Sequence, residues 1–175
     1  MVRYLTVVRH AKARSSEPGA SDYERDLSGK GRRQCERLHA WACDATALGA
    51  YGPVTALVSS AARTRETFRR AFEDTPFVAS VVFSDLIYNG RHEVTAEDVL
   101  IDLAGVDPVT TSLLVVAHNP TVHELVESLA REVPASLEGR GYALGGAYVF
   151  ELRDDEPIGL SRYPVVAEFI PEVDA

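Results

Sequence analysis

The sequence predicts an α/β fold, a three-layer sandwich in which helices flank a mostly parallel central sheet. Short apolar runs rich in β-branched residues, typical of buried strands, alternate along the chain with amphipathic segments typical of helices. Such alternation favours a parallel sheet that is covered by helices. A length of 175 residues suits one substantial core, so we expect a single domain over residues 1–175.

Each predicted strand is an apolar run bounded by polar or turn-forming residues. The first is "VRYLTVV" at 2–8, and a polar stretch that contains Pro18 and Gly19 separates it from the next element. The remaining runs are "VTALV" at 54–58, "FVASVVF" at 77–83, "SLLVVA" at 112–117 and "AYVFEL" at 147–152. The acidic tail over residues 153–175 has no pattern that assigns it to a helix or a strand.

The predicted helices lie between these strands. The first starts near Ser28, a residue type suited to the N-cap, and runs through residues 31–48. Cys35 and Cys43 would share this helix about 12 Å apart, too far for a disulfide, so both are expected to be reduced thiols. The other predicted helices cover residues 62–73, residues 95–105 with a glycine at the end, and residues 121–131.

The composition excludes several classes of protein. No apolar stretch approaches the roughly 20 residues of a membrane-spanning helix, and "MVRYLTVVRH" lacks the features of a signal peptide. The formal net charge of −8 disfavours nucleic acid as a partner, because nucleic-acid binding depends largely on basic side chains. We therefore expect a cytoplasmic protein that binds neither membranes nor nucleic acid.

Three of the predicted strands end in residues suited to binding a phosphoryl group. Arg9 and His10 follow the first strand, Arg63 follows the second, and His118 follows the fourth. Parallel strands bring such ends to one edge of the sheet, where ligands usually bind. Arginine matches phosphate oxygens, and a neutral histidine can attack phosphorus. Each feature alone is at least as typical of a surface loop or a helix start as of a catalytic site, and only their joint occurrence favours a phosphoryl site.

Four ordered sequence blocks resemble the histidine phosphatase (phosphoglycerate mutase-like) superfamily, and within it the SixA-type phosphohistidine phosphatases. The blocks are "VVRHAKA", "RDLSGKGRRQ", "VSSAARTRET" and "LLVVAHNPTV", and the likeness covers about residues 3–150. In the last block Ala117 stands where the family has glycine. Asn119 is predicted to cap the helix that Pro120 would begin.

The resemblance implies a role for each residue of the predicted site. His10 would be the nucleophile that carries the phosphoryl group as a covalent intermediate. No cofactor and no metal are expected, because the arginines take the place of a cation. Many relatives have a phosphate-contacting asparagine where this chain has Ser16. The candidate substrate-binding residues are Arg9, Arg63, His118, Asn119 and Ser16, the first three of which would also stabilise the charge of the transition state.

The region after the third strand departs from the wider superfamily. Mutases and broad phosphatases have a glutamate or aspartate there that protonates the leaving alcohol, and the best register places Asn89 at that position. An asparagine amide does not act as such an acid. Glu93, Asp85 and His92 remain alternatives in other registers. Loss of the acid fits a leaving group that departs easily, such as the imidazole of phosphohistidine.

The sequence therefore predicts a phosphatase with a phosphohistidine intermediate, and its expected substrate is phosphohistidine on a protein, as in a phosphorelay. A phosphatase of small phosphomonoesters is the alternative if a carboxylate supplies the missing acid. A non-catalytic module that binds phosphate or a phosphoprotein is a third alternative. It is disfavoured because binding alone requires no nucleophile.

Overall fold

Six strands form the central sheet: β1 (Tyr4–Arg9), β2 (Val54–Ser59), β3 (Val78–Ser84), β4 (Ser112–Ala117), β5 (Ala147–Glu151) and β6 (Val165–Phe169). The computed structural model describes residues 4–44, 47–90, 92–106, 111–153 and 156–172. The order of the strands is β3-β2-β4-β1-β5-β6. The first four strands pair in parallel, and β5 and β6 are antiparallel to their neighbours. The prediction of a mostly parallel sheet is confirmed.

In the described residues, four α-helices connect the strands: α1 (Gly29–Ala42), α2 (Ala62–Phe68), α3 (Ala96–Ala104) and α4 (Thr121–Leu129). A π-helical turn over Arg69–Glu73 continues α2, and short 3₁₀ turns cover Asp22–Glu24 and Leu48–Tyr51. Within the described ranges, no helix is both long enough and apolar enough to cross a bilayer.

The helices lie on both faces of the sheet and give the predicted three layers. Successive residues of β4 point to opposite faces, as in any strand. Leu113 and Val115 pack in the core that contains α3 and α4, whereas Leu114 and Val116 pack in the core that contains α1 and α2. All residues of β2 and β4 are buried, because both faces of these central strands are covered. This explains why their sequences are continuous apolar runs.

The first helix starts where the sequence predicts but ends earlier. The hydroxyl of Ser28 accepts the backbone N–H of Gly31, which confirms the N-cap. The helix ends at Ala42 because the N–H of Asp44 turns back to the carbonyl of Trp41 in a tightened last turn. The predicted extension to Leu48 is therefore wrong, and Leu48 lies in a 3₁₀ turn instead. Residues 45–46 lie outside the described part of the chain.

The two cysteines do not share the helix interior. Cys35 is buried within α1, whereas Cys43 follows its last residue and is exposed. Both are free thiols, as the sequence predicts, and burial raises the pKa of Cys35 to about 12.

The tail that the sequence left unassigned contains a strand. Residues 165–169 alternate between half-buried and exposed positions and pair antiparallel with β5 as an edge strand. The tail also shortens the preceding helix, because Tyr163 exchanges backbone hydrogen bonds with Leu129 and Arg131. For this reason α4 ends at Leu129 and not at residue 131.

Candidate active site

The carboxyl ends of β2, β4 and β1 are neighbours in the sheet, and the four predicted side chains follow them. The β1–β4 register pairs Arg9 with Ala117, and the backbone N–H of His10 donates to the carbonyl of Ala117 at 3.1 Å. This brings the rings of His10 and His118 to a centroid separation of 5.1 Å. Both histidines are buried. Parallel pairing thus brings together residues that lie more than 100 positions apart in the sequence.

The ring of His10 is held in one tautomer. Its Nδ1 lies 2.8 Å from the carbonyl oxygen of Ala11, and because a carbonyl only accepts, Nδ1 carries the proton and donates. Burial lowers the pKa of His10 to about 3, and the charges of Arg63 and Arg9 act in the same direction. The ring is therefore neutral near pH 7, and Nε2 has a free lone pair. A histidine in this state can act as a nucleophile.

The ring of His118 is held from the opposite nitrogen. Its Nε2 lies 2.7 Å from the hydroxyl oxygen of Ser59, the last residue of β2. Its Nδ1 is buried and has no hydrogen-bond partner in the described part of the chain. Burial lowers the pKa of His118 to about 2, helped by His10 and Arg63, so this ring is also neutral. When the Ser59 hydroxyl donates to Nε2, Nδ1 bears the ring proton and is available as a donor.

Arg9 is anchored by a backbone carbonyl and has no acidic partner among the described residues. Its Nη1 donates to the carbonyl of Tyr142, and its Nε is buried without a hydrogen-bond partner there. Burial is the main cause that lowers the pKa of Arg9. Tyr142 is itself fixed, because its hydroxyl donates to the carbonyl of Val7 in β1. Arg9 therefore brings a positive charge to the site that no described carboxylate balances.

Arg63 is more deeply buried, with an exposed fraction of 5%. Its Nη1 donates to the carbonyl oxygen of Asp22 at 2.8 Å, and its Nη2 donates to the Asp22 carboxylate at 3.1 Å. The guanidinium lies 5.9 Å from the ring centroid of Tyr88, whose hydroxyl donates to the same carboxylate. Its Nε, like that of Arg9, is buried without a partner in the described structure. Burial lowers the pKa of Arg63, and Asp22 opposes this effect.

The four side chains share one arrangement. Each is anchored through at least one polar atom, and Arg9, Arg63 and His118 each also have a buried polar atom without a hydrogen-bond partner within the described ranges. An unsatisfied buried polar group costs about 1–3 kcal/mol. An anion with several acceptor oxygens is the kind of ligand that satisfies arginine and histidine donors, and the ring of His118 lies 5.1 Å from that of His10.

The block "RDLSGKGRRQ" positions the loop that follows His10. Lys12 is hydrogen-bonded to two residues of this block: its carbonyl accepts the Ser28 hydroxyl, and its N–H donates to the Gln34 side chain at 2.9 Å. A Cβ atom on Gly31 would lie 2.1 Å from the Lys12 carbonyl oxygen, so only glycine permits this approach. The block therefore fixes the start of α1 against the residues after the candidate nucleophile.

Glu66 links the same loop to α2. Its carboxylate accepts the backbone N–H of Leu27 at 2.9 Å and the side chains of Arg32 and Arg70 at 3.0 and 2.7 Å. Since Glu66 lies one turn after Arg63, this contact holds the loop that carries Asp22 near that arginine.

The other two predicted substrate-binding residues, Ser16 and Asn119, make no described hydrogen bond to these four side chains, and Oδ1 of Asn119 is buried without a partner in the described part of the chain. Ser16 is exposed and has no described hydrogen bond with them, and it lines a cavity of about 460 Å³ formed by residues 14–26. The predicted cap at Asn119 is wrong, because the His118 carbonyl already accepts the Val122 N–H at 3.0 Å and places Asn119 inside the turn. Pro120 occupies the N-cap position and not the first helical position.

Asn89, at the position expected for an acid, has a structural contact. Its amide donates to the hydroxyl of Thr121 at 2.8 Å, and this hydroxyl donates to the carbonyl of Val94 at 2.6 Å. Asn89 therefore connects the loop after β3 to the start of α4.

The alternative acids also lie elsewhere. His92 and Glu93 are exposed, and Asp85 accepts a hydrogen bond from the hydroxyl of Ser60. Among the carboxylates of the described residues, that of Asp22 contacts one of the four side chains, Arg63. Burial raises the pKa of Asp22, but Arg63 and its other donors outweigh this effect and hold it below its usual value. Asp22 is therefore ionised near pH 7.

Sequence reasoning missed Asp22, Ser59 and Tyr142 as partners of the site. Ser59 lies in a quoted block without an assigned role, and Asp22 lies three residues before Arg25, with which it pairs. Tyr142 gives no local signal. Within the described ranges, no cluster of three or more His, Cys, Asp or Glu side chains is arranged to hold a metal ion.

A scan against protein-family models and a search of curated proteins both find no match. Solved structures, in contrast, match over nearly the whole chain. A candidate phosphohistidine phosphatase SixA from Agrobacterium tumefaciens is 25% identical with a TM-score of 0.78, and covers 98% of this chain and 99% of its own. A second candidate SixA, from Nakamurella multipartitia, is 25% identical with a TM-score of 0.76 and coverages of 97% and 96%. A SixA structure complexed with tungstate is 20% identical with a TM-score of 0.71 and coverages of 95% and 96%.

Proposed function

The chain belongs to the histidine phosphatase superfamily and has its phosphoglycerate mutase-like fold, and we propose that it dephosphorylates phosphohistidine on proteins. The phosphatase function agrees with the likeness to two SixA-type proteins over nearly the full chain. The observation that carries the proposal is a neutral His10 whose ring lies 5.1 Å from that of His118, together with buried donor groups on Arg9, Arg63 and His118 that have no partner in the described structure.

The first proposed step transfers the phosphoryl group to His10. Its Nε2 attacks phosphorus, a new N–P bond forms, and the electron pair of the breaking P–N bond passes to the substrate ring, which leaves as neutral imidazole when its other ring nitrogen carries a proton. Nε of Arg9, Nε of Arg63 and Nδ1 of His118 would donate to the phosphoryl oxygens, whose charge they stabilise in the transition state. In the second step water attacks the phosphorus of phosphoryl-His10, the N–P bond breaks with its electron pair returning to Nε2, and inorganic phosphate and the neutral ring are released.

The surroundings of Asn89 and Asp22 favour phosphohistidine over alkyl phosphates. An alkoxide needs a proton to depart, whereas imidazole departs more readily. Asn89 offers an amide that is already bonded to Thr121, and Asp22 is ionised by its basic partners. Both observations support a substrate whose leaving group requires no carboxylic acid.

Three further expectations remain proposals. Strands from both ends of the described chain join one sheet, which supports a single domain over residues 1–175. We propose a phosphorylated protein as the partner and, given the net charge of −8, no binding to nucleic acid. The free thiols of Cys35 and Cys43 support a cytoplasmic location, because reducing compartments maintain thiols in this state.

The test compares wild type with His10→Ala on a phosphotransfer protein that carries phosphohistidine, with an alkyl phosphate in parallel. We expect phosphate release from phosphohistidine alone, and a loss of about 10⁴-fold or more in the variant, because the nucleophile is removed. His123→Ala is the matched control, since His123 lies on α4 and pairs with Glu127. Rapid quenching of wild type should trap phosphate on His10, read out by mass spectrometry.

Two results would contradict the proposal in different ways. Comparable turnover of the alkyl phosphate, lost on replacing Asp85 or Glu93, would favour the phosphomonoesterase alternative. Phosphate binding without turnover of either substrate would favour the binding module.

A further inference from the structure

Asp22 places a negative charge in the candidate site, where an anionic phosphoryl group would bind. Its Oδ2 accepts the Nη2 of Arg63 and the hydroxyl of Tyr88, each at 3.1 Å. Its Oδ1 accepts Nε and Nη2 of Arg25 at 3.1 and 2.8 Å. This negative charge therefore lies directly on one of the two arginines that would bind a phosphoryl group, which is itself an anion.

The balance of charge in the empty site explains why such a carboxylate is present. Arg63 is almost fully buried, and a buried charge without a partner is strongly destabilising. Asp22 supplies this partner, while its own side chain stays 47% exposed and in contact with water. Arg9 is less buried and has no carboxylate partner in the described ranges, so Asp22 balances only one side of the site.

The same contact weakens the site for anions. A phosphoryl group that approaches Nε of Arg63 meets an arginine whose charge is already balanced, and it is repelled by the neighbouring carboxylate. The effect matters at the end of each turnover, because inorganic phosphate then rests on the same donors and has to leave.

We propose that Asp22 is a resident counter-ion of the phosphoryl site, which balances Arg63 when the site is empty and limits how tightly the site retains inorganic phosphate. This inference rests on the proposed function, since it concerns the product of that reaction. It assigns Asp22 the role of tuning anion affinity and no role in bond making.

The backbone contact of Asp22 allows its side-chain charge to be removed while Arg63 stays in position. Its carbonyl oxygen accepts Nη1 of Arg63 at 2.8 Å, and this bond survives any change of side chain. In Asp22→Asn the amide oxygen can still accept from Arg63 or Arg25. The variant therefore removes mainly the negative charge.

The experiment measures binding of inorganic phosphate by calorimetry, and phosphate inhibition of turnover, in wild type and Asp22→Asn. We expect phosphate to bind about tenfold more tightly to the variant, because a unit charge close to the anion is lost. Asp26→Asn is the matched control: it makes the same charge change in the same exposed loop, and Asp26 has no described bond to Arg63. Asp22→Glu keeps the charge and should stay close to wild type.

If Asp22→Asn binds phosphate no more tightly than wild type, while wild type itself turns over phosphohistidine, the inference is overturned. Equal tightening in Asp22→Glu or Asp26→Asn would also overturn it, because the effect would then not come from the charge on Arg63. A failure of the proposed function is distinguishable, since wild type itself would then release no phosphate from phosphohistidine, whatever its affinity for inorganic phosphate.

Discussion

The candidate site consists of two halves, each with one arginine and one histidine, that are anchored by different groups. In the β1 half, backbone carbonyls alone hold the side chains: Tyr142 anchors Arg9, and Ala11 anchors His10. In the β2–β4 half, side chains take part. The Asp22 carboxylate pairs with Arg63, and the Ser59 hydroxyl bonds with His118.

The difference has chemical consequences. A carbonyl can only accept, so it fixes the proton of His10 on Nδ1 and leaves Nε2 as the reactive nitrogen. A hydroxyl can donate or accept, so His118 remains free to present a donor to an oxygen. The β1 half also has an arginine without a described acidic partner, whereas Arg63 is balanced. The β1 half suits formation of the bond to phosphorus, and the β2–β4 half suits the binding and release of the anion.

Replacing the two arginines with methionine should give the largest effects and separate the halves. We expect Arg9→Met to lower kcat/KM by about 10²–10³-fold through loss of charge stabilisation, without lowering the free energy of unfolding. The reason is that the substitution removes a partly buried cation without a described acidic partner. Arg63→Met should lower activity similarly but also destabilise the protein by about 1 kcal/mol, because the pair with the half-exposed Asp22 is lost.

Steady-state kinetics and urea denaturation measure both quantities, with Arg33→Met on the exposed face of α1 as the control. Equal destabilisation by Arg9→Met and Arg63→Met would break the comparison, since both arginines would then be balanced in the folded protein.

The sequence predicts the two functional side chains of the β1 half but not the groups that anchor them. Arg9 and His10 directly follow an apolar run, and the edge where parallel strands end brings them to Arg63 and His118. The anchor of Arg9 lies 133 residues away along the chain, and that of Arg63 lies 41 residues away. Strand pairing and loop packing create these contacts, and no local pattern predicts them.

Element ends were also less predictable than the elements themselves. The end of α1 at Ala42 depends on a backbone turn, and the end of α4 depends on Tyr163 from the distant tail. The edge strand β6 was missed because its half-buried residues lie in an acidic segment without a continuous apolar run.

Acid should destabilise both halves through their histidines. Burial holds the pKa values of His10 and His118 at about 3 and 2, below the ordinary value of 6.5. At pH values between these pKa values and 6.5, the unfolded chain binds more protons than the folded protein. The free energy of unfolding is therefore highest above pH 6.5, and the contribution of each histidine is lost as the pH falls toward its pKa in the folded protein. The maximal slope is about 1.4 kcal/mol per pH unit for each histidine.

Urea denaturation between pH 4.5 and pH 7 checks this expectation in wild type, His10→Asn and His118→Asn. Each variant should lose part of the slope, and the two losses should be similar because both rings are buried. A loss confined to one variant would show that only one half keeps its histidine neutral.

The smallest effect should come from the side-chain anchor of His118. Ser59→Ala removes the bond to Nε2, so that neither ring nitrogen has a described partner, which should cost about 1 kcal/mol of stability and lower kcat several-fold. Ser60→Ala, which removes the neighbouring hydroxyl bonded to Asp85, is the control for stability and activity. If Ser59→Ala lowers stability but leaves kcat unchanged, the orientation of His118 does not depend on its hydroxyl anchor. The binding and release of anions in the β2–β4 half would then depend on Asp22 alone.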